Sequence, residues 1–178
     1  MAVPLFDTRT PLEPLRERID ATMRDVVDRG TFILGPEVRA FEAEFADYLG
    51  VAHAAGVANG TDALVLALRA LGVGPGDDVV VPSFTFYASA EAIPLTGARP
   101  VFCDVDPDTA CVTADTVRAA LTPATKAVIA VHLFGNVAPV AEIEALGVPV
   151  IEDAAQAAGS QPGAGRGSVT SSPSPARS

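Results

Sequence analysis

The sequence has no tryptophan, and its 178 residues include only two cysteines and a single lysine, Lys126. The cysteines, Cys103 and Cys111, are too few and too irregularly spaced for a disulfide framework or a metal centre. Cys103 lies in an apolar run, which predicts a buried thiol in a reducing compartment such as the cytoplasm. No metal site is therefore expected.

A long apolar run, an excess of positive charge and a secretion signal are also missing. Lys and Arg number 12 against 22 Asp and Glu, so the net charge is −10, which argues against nucleic acid and anionic membranes as partners. Gly, Pro or charged residues interrupt every apolar run, so no transmembrane helix is predicted. The first residues lack the basic and apolar regions of a signal peptide.

What the sequence does contain is an alternation of short β-rich runs and amphipathic segments. Five strands are predicted, at residues 54–58, 78–82, 99–104, 126–133 and 148–152. Helices are predicted at residues 11–30, 37–49, 61–71, 88–96, 114–121 and 140–146. This alternation favours an α/β fold, with a mostly parallel sheet and helices on both faces. In such sheets, ligands bind beyond the carboxyl ends of the strands.

The first predicted junction between a strand and a helix carries a candidate phosphate site. Asn59-Gly60 is a turn dipeptide, and Thr61 opens the helix that follows. A helix start offers free N–H groups and the positive end of the helix dipole, Gly60 allows an anion to approach closely, and Thr61 adds a hydroxyl donor. A tight turn that binds no ligand explains the same residues equally well.

Polar and aromatic side chains follow the other predicted strands. Asp153 ends the last strand and could pair with a protonated ring nitrogen, as pyridoxal phosphate requires to withdraw electrons. Phe86 could stack on such a ring, and Gln156 could reach its hydroxyl. Plainer alternatives exist: Asp153 could be a helix N-cap, and Phe86 could pack in the core. His132 is expected to be a hydrogen-bonded histidine near the site and not a proton-transfer group.

Six segments together resemble the N-terminal part of the DegT/DnrJ/StrS family, pyridoxal-phosphate-dependent aminotransferases that act on keto sugars. They lie at residues 35–42, 58–64, 76–86, 100–106, 131–135 and 151–159, and they include the runs Ala-Asn-Gly-Thr-Asp-Ala-Leu and Ile-Glu-Asp-Ala-Ala-Gln-Ala-Ala-Gly. The resemblance extends over roughly residues 4–160, in the order and spacing of the family.

The resemblance implies the large domain of a fold-type I enzyme, opened by a helical segment. It implies that Gly60 and Thr61 hold the cofactor phosphate, that Phe86 stacks on the ring, that Asp153 pairs with the ring nitrogen and that Gln156 contacts the ring hydroxyl. It also implies a homodimer with the active site at the subunit interface. The implied reaction moves an amino group from glutamate or glutamine to a nucleotide-linked keto sugar.

One residue of the family's site has no counterpart in this sequence. The family's catalytic lysine forms a Schiff base with the cofactor and carries a proton between carbons. It should follow the Asp-Ala-Ala-Gln segment, whereas Lys126 opens an upstream strand and is expected to face solvent at the amino-terminal edge of the sheet. The chain is therefore expected to bind pyridoxal phosphate weakly, without a covalent link, and to be inactive alone.

Three regions are predicted: a helical segment at residues 1–50, a partial pyridoxal-phosphate-binding domain at 51–160 and a disordered tail at 161–178, rich in Gly, Ser and Pro. Read in a shifted frame, the codons for residues 167–174 permit Leu-Gly-Asp-Val-Val-Thr-Phe-Ser. That is the family's segment before the lysine, which suggests a frameshift, natural or from sequencing. Three functions stay open: a fragment of a sugar aminotransferase, a non-catalytic partner of an intact one, and a non-functional remnant.

Overall fold

The computed structural model describes residues 6–160, so the predicted disordered, frameshifted tail at 161–178 lies outside the described residues. The helices are α1 (Arg9–Leu12), α2 (Arg16–Arg29), α3 (Pro36–Leu49), α4 (Gly60–Ala70), α5 (Tyr87–Glu91), α6 (Ala114–Ala120) and α7 (Val140–Glu144). The strands are β1 (Asp78–Pro82), β2 (Arg99–Cys103), β3 (Thr125–Val131) and β4 (Val150–Asp153). Short 3₁₀ turns lie at Glu13–Leu15, Pro94–Thr96 and Leu133–Gly135.

The four strands form one parallel sheet in the order β2-β1-β3-β4. A hydrophobic core lies on each face of the sheet. Because successive side chains of a strand point to opposite faces, β1 contributes residues to both cores. Val79 and Val81 pack with residues of α4 and with Ile93, whereas Val80 packs with residues of α6 and α7. Helices therefore cover both faces of the sheet, which confirms the predicted α/β architecture.

The first predicted strand, at residues 54–58, is not a strand in the structure, so the prediction of five strands is wrong. The Gly56 N–H donates to Glu42 Oε1 on α3 (2.7 Å), and no strand of residues 6–160 pairs with this segment. An apolar run signals burial, but it becomes a strand only where a neighbouring backbone offers hydrogen-bond partners.

Local chemistry explains where the helices begin and end. Asn59 caps α4, because its side-chain oxygen accepts a hydrogen bond from the N–H of the third helical residue (2.9 Å). Gly30 ends α2 with φ of +70°, a left-handed conformation that glycine adopts without strain. Pro94 cannot continue a helical ladder, so the predicted helix at 88–96 divides into α5 and a 3₁₀ turn.

Helix α2 carries an apolar stripe that is uncovered in the described part of the chain. Ile19, Met23 and Val27 share one face of this helix, yet none of its residues is buried, and Met23 and Val27 are 62% and 64% exposed. On α3, Phe41, Phe45 and Tyr48 form a stacked row, with successive ring centroids 5.4 and 6.2 Å apart, and Phe41 and Tyr48 are also exposed.

The amino-terminal edge of the sheet is held by a buried carboxylate, Asp78 at the start of β1. It accepts two hydrogen bonds from the Arg99 guanidinium (2.8 and 2.7 Å) and one from the Thr122 hydroxyl (2.6 Å). These contacts, from Arg99 first and Thr122 second, lower the pKa of Asp78 from 3.8 to about 2. The network ties β1 to β2 and to the segment that leads into β3.

This network predicts a pH dependence of stability. Because the folded-state pKa of Asp78 lies below its ordinary value, the stabilisation is present above about pH 4 and is lost as the pH falls toward 2. The variant Asp78→Asn should be less stable than the unmodified chain at pH 7, and the difference should shrink between pH 4 and pH 2. Urea unfolding at each pH measures this. The exposed control Asp25→Asn should track the unmodified chain, and a gap for Asp78→Asn that stays constant to pH 2 would contradict the assignment.

Candidate functional site

The order of the strands creates a crevice at the carboxyl edge of the sheet. β2 lies on one side of β1 and β3 on the other, so the loops that leave β1 and β3 diverge, and a ligand site is expected between them. A cleft of about 370 Å³ lies there, lined by residues that include Gly60, Thr61, Thr85, Phe86, Asp153 and Gln156. A broader hollow of about 460 Å³, between β2 and α6, contains none of these side chains.

One wall of the cleft is the amino terminus of α4. Asn59 satisfies only the third N–H of the helix, and the N–H groups of Gly60 and Thr61 make no hydrogen bond within residues 6–160. The space beside the Gly60 backbone is open, because a Cβ placed there would lie more than 4 Å from any non-neighbouring atom. Thr61 is half-buried. The wall therefore offers two backbone donors, a hydroxyl and the positive end of a helix dipole to an anion.

The opposite wall is Asp153, the last residue of β4. Its Oδ2 accepts a hydrogen bond from the Ser89 hydroxyl (2.8 Å), and its Oδ1 accepts one from the Ala155 N–H (3.2 Å). Its backbone oxygen accepts from the His132 N–H (3.0 Å), which extends the pairing of β3 and β4. A turn and not a helix follows Asp153, so the alternative that this side chain is a helix N-cap is wrong.

Two aromatic rings and an amide complete the rim. Phe86 and Tyr87 are 73% and 71% exposed, so neither ring packs in the core of the described chain, and the alternative of core packing for Phe86 is wrong. Gln156 Oε1 accepts a hydrogen bond from the Phe134 N–H (2.8 Å). Its amide nitrogen has no hydrogen-bond partner in residues 6–160 and remains available as a donor to a ligand.

His132 lies beside the cleft but both of its ring nitrogens are engaged. Nδ1 accepts a hydrogen bond from the Ala138 N–H (3.1 Å), so the proton sits on Nε2, which donates to Glu152 Oε2 (2.8 Å). The side chain is 4% exposed. The expectation of a hydrogen-bonded histidine is therefore confirmed, and the geometry leaves no ring nitrogen facing a ligand.

Lys126 lies at the other edge of the sheet. It is the second residue of β3 and is exposed, as the sequence predicts. Five residue steps along the extended strand, roughly 16 Å, separate it from Val131, which is the register partner of Asp153. No lysine of this sequence therefore lies at the cleft.

Both cysteines are buried free thiols. Burial, with a smaller contribution from Asp104, raises the pKa of Cys103 to about 11, and burial raises that of Cys111. Residues 6–160 contain no group of three or more His, Cys, Asp or Glu side chains that could hold a metal ion. No helix within that range combines the length and the apolar character needed to cross a bilayer.

Sequence reasoning missed Ser89. This buried serine lies on α5 among alanines, donates to Asp153 and is 3.2 Å from the Thr85 hydroxyl oxygen. A serine at a buried position needs a polar partner, and Thr85 offers a hydroxyl just before the N-cap residue of α5. Neither signal identifies a carboxylate that is 64 residues away in the chain.

Comparisons with known proteins agree with this architecture. The sequence profile of the DegT/DnrJ/EryC1/StrS aminotransferase family matches residues 14–169. The UDP-N-acetyl-3-dehydro-alpha-D-glucosamine 3-aminotransferase of Acidithiobacillus ferrooxidans is 52% identical over 164 residues, which cover 90% of this chain and 44% of that protein.

Solved structures show the same fold. DesV from S. venezuelae is 46% identical, with a TM-score of 0.85 over 88% of this chain and 43% of that one. NtdA from Bacillus subtilis, solved with bound cofactor PMP, is 32% identical, with a TM-score of 0.78 over 87% of this chain and 37% of that one. The chain thus spans less than half the length of each of these relatives, and its parallel sheet with flanking helices is part of a fold-type I domain. It belongs to the DegT/DnrJ/EryC1/StrS aminotransferase family.

Proposed function

We propose that this chain carries the pyridoxal phosphate pocket of a nucleotide-sugar aminotransferase and that the 178 residues hold the cofactor without a covalent link. The main support for the proposal is the cleft at the carboxyl edge of the sheet. The free N–H groups of Gly60 and Thr61 lie on one wall of this cleft, and the Asp153 carboxylate lies on the other. Pyridoxal phosphate carries a phosphate group and a ring nitrogen at separate positions, and these two groups suit those two walls.

The donors and acceptors of the cleft fit this cofactor. The N–H groups of Gly60 and Thr61 and the Thr61 hydroxyl bind a phosphate, and Asp153 accepts a hydrogen bond from a protonated ring nitrogen. The amide nitrogen of Gln156 donates to the ring hydroxyl oxygen, and the exposed Phe86 supplies a face for stacking. A volume of about 370 Å³ is within the range of cofactor pockets.

The side chains of the described cleft bind and orient the cofactor, and neither Lys126 nor His132 supplies a base there. When bound, pyridoxal phosphate provides an electron sink for the carbon that is deprotonated. Asp153 keeps the proton on the ring nitrogen, and the α4 terminus anchors the phosphate. Lys126 is at the wrong edge of the sheet and His132 is fully hydrogen-bonded, so neither of these side chains moves the substrate proton.

The substrate class is proposed from the similarity of this chain to its relatives. The Acidithiobacillus relative acts on a UDP-linked keto sugar, as its name states, and a nucleotide-linked keto sugar is the corresponding substrate here, with glutamate or glutamine as amino donor. A cytoplasmic homodimer is proposed as the working assembly, in keeping with buried free thiols.

The proposal is tested by titrating the purified 178-residue chain with pyridoxal phosphate and following the cofactor's absorbance and fluorescence. Binding should be weak and lost on dialysis, and borohydride treatment should leave Lys126 unmodified by mass spectrometry. Thr61→Val should weaken pyridoxal phosphate binding about tenfold while leaving pyridoxal, which lacks the phosphate, unaffected.

The matched control is Thr22→Val, which removes a hydroxyl that bonds only within α2 and should change neither affinity. Equal loss of pyridoxal and pyridoxal phosphate in Thr61→Val would contradict a phosphate role for Thr61. A cofactor that survives dialysis and is trapped on Lys126 would contradict non-covalent binding.

A second candidate is a non-catalytic partner of an intact aminotransferase. The uncovered apolar stripe of α2, Ile19, Met23 and Val27, favours association with another polypeptide. Co-expression with a full-length family member tests this candidate, because a partner function predicts a stable mixed complex in which Met23→Glu reduces recovery.

A further inference from the structure

A short series of hydrogen-bonded side chains leads away from the Asp153 wall of the cleft. The Ser89 oxygen is 2.8 Å from Asp153 Oδ2 and 3.2 Å from the Thr85 hydroxyl oxygen. Ser89 is 1% exposed and lies on α5, the helix whose N-cap residue is Phe86. The three side chains come from the β1–α5 connection and the end of β4, two separate parts of the sheet edge.

The direction of these hydrogen bonds follows from what each group can do. An ionised carboxylate only accepts, so the single Ser89 proton is given to Asp153. The Ser89 oxygen then accepts from the Thr85 hydroxyl, which leaves one consistent arrangement, Thr85 to Ser89 to Asp153. The Ala155 N–H holds the other carboxylate oxygen at 3.2 Å. With one donor on each oxygen, the two hydrogen bonds favour one orientation of the Asp153 carboxylate.

Ser89 reaches a ligand only through Asp153. The cleft is lined by Thr85, Phe86, Ala88 and Asp153, and Ser89 is not part of that lining. A buried hydroxyl that contacts a carboxylate but not the cleft cannot bind the cofactor itself. It can set the angle at which the carboxylate meets the cofactor, as partners of metal ligands do.

We infer that Ser89 is a positioning residue, which holds the Asp153 carboxylate in the plane that suits the ring nitrogen of pyridoxal phosphate, with Thr85 fixing the orientation of the Ser89 hydroxyl. This inference rests on the proposed cofactor site. It assigns a role to a side chain that touches neither cofactor nor substrate.

The test compares pyridoxal phosphate with its 1-deaza analogue, in which a C–H replaces the ring nitrogen. The unmodified 178-residue chain should prefer pyridoxal phosphate, because only that compound pairs with Asp153. In Ser89→Ala, the ratio of the two dissociation constants should fall about tenfold toward unity, while the affinity for the analogue stays the same. The variant Ser89→Cys preserves the packing with a weaker donor and should lie between the two.

Thr122→Val is the matched control, since it removes a hydroxyl that donates to another strand aspartate, Asp78, at the far edge of the sheet. It should leave the ratio unchanged. An unchanged ratio in both Ser89→Ala and Ser89→Cys, whether or not overall affinity falls, would overturn the inference, because loss of structure weakens both compounds equally. Failure of the unmodified chain to bind pyridoxal phosphate would instead overturn the proposed function, and this inference with it.

Discussion

Supplied with pyridoxal phosphate and with glutamate or glutamine, the purified 178-residue chain should not aminate any nucleotide-linked keto sugar. Transamination needs a base over the reacting carbon, and general acid–base help of this kind contributes about 10² to 10⁴ in rate. The only lysine, Lys126, is exposed at the opposite edge of the sheet. Both ring nitrogens of His132 already form hydrogen bonds, to the Ala138 N–H and to the Glu152 carboxylate.

The measurement is donor-dependent amination across a panel of keto sugars, with the full-length Acidithiobacillus relative as the active reference. The variant Lys126→Ala is the control, and it should behave like the unmodified chain. Turnover that disappears in Lys126→Ala would show that this lysine reaches the cleft. Turnover that survives in Lys126→Ala would place the base on another side chain.

The second large effect concerns Asp153. The variant Asp153→Asn should bind pyridoxal phosphate about ten- to a hundredfold more weakly than the unmodified chain. A hydrogen bond to a charged group contributes about 1.5–3 kcal/mol, which corresponds to that range of affinity. The amide has nearly the same shape as the carboxylate, so packing is kept, whereas the charge and one of the two accepted hydrogen bonds, from Ser89 or Ala155, are lost. Equilibrium titration at pH 7 measures both proteins.

Asp104→Asn is the matched control, because Asp104 follows directly on the neighbouring strand β2, is exposed and does not line the cleft. Its affinity for the cofactor should equal that of the unmodified chain. Similar binding by Asp153→Asn and the unmodified chain would show that Asp153 does not meet the ring nitrogen.

The sheet was largely predictable from residue pattern. Three consecutive valines between turn residues identify β1, and its predicted bounds, 78–82, are those of the structure. The run at 54–58 has the same apolar signal, but it pairs with no strand of residues 6–160. Strand formation depends on a distant partner, which a local pattern does not report.

The residues of the site that lie in sequence motifs were predictable. Gly60, Thr61, Phe86, Asp153 and Gln156 line one cleft, although their roles toward a cofactor remain proposals. The hydrogen bond from Ser89 to Asp153 was not predictable, because it depends on how the carboxyl ends of β1 and β4 are placed relative to each other. Such long-range contacts follow from register and not from local sequence.

The two walls of the cleft lie far apart in the chain, with Thr61 on α4 and Asp153 at the end of β4. Parallel pairings between distant segments form slowly, because the entropy of loop closure is lost before the contacts are made. We therefore expect the pocket to be completed late in folding. A ligand that joins the two walls binds the native state alone. At a hundred times its dissociation constant, it adds about 2.7 kcal/mol to the free energy of unfolding. On the proposed function, pyridoxal phosphate would join the two walls across the edge of the sheet and would stabilise the folded chain.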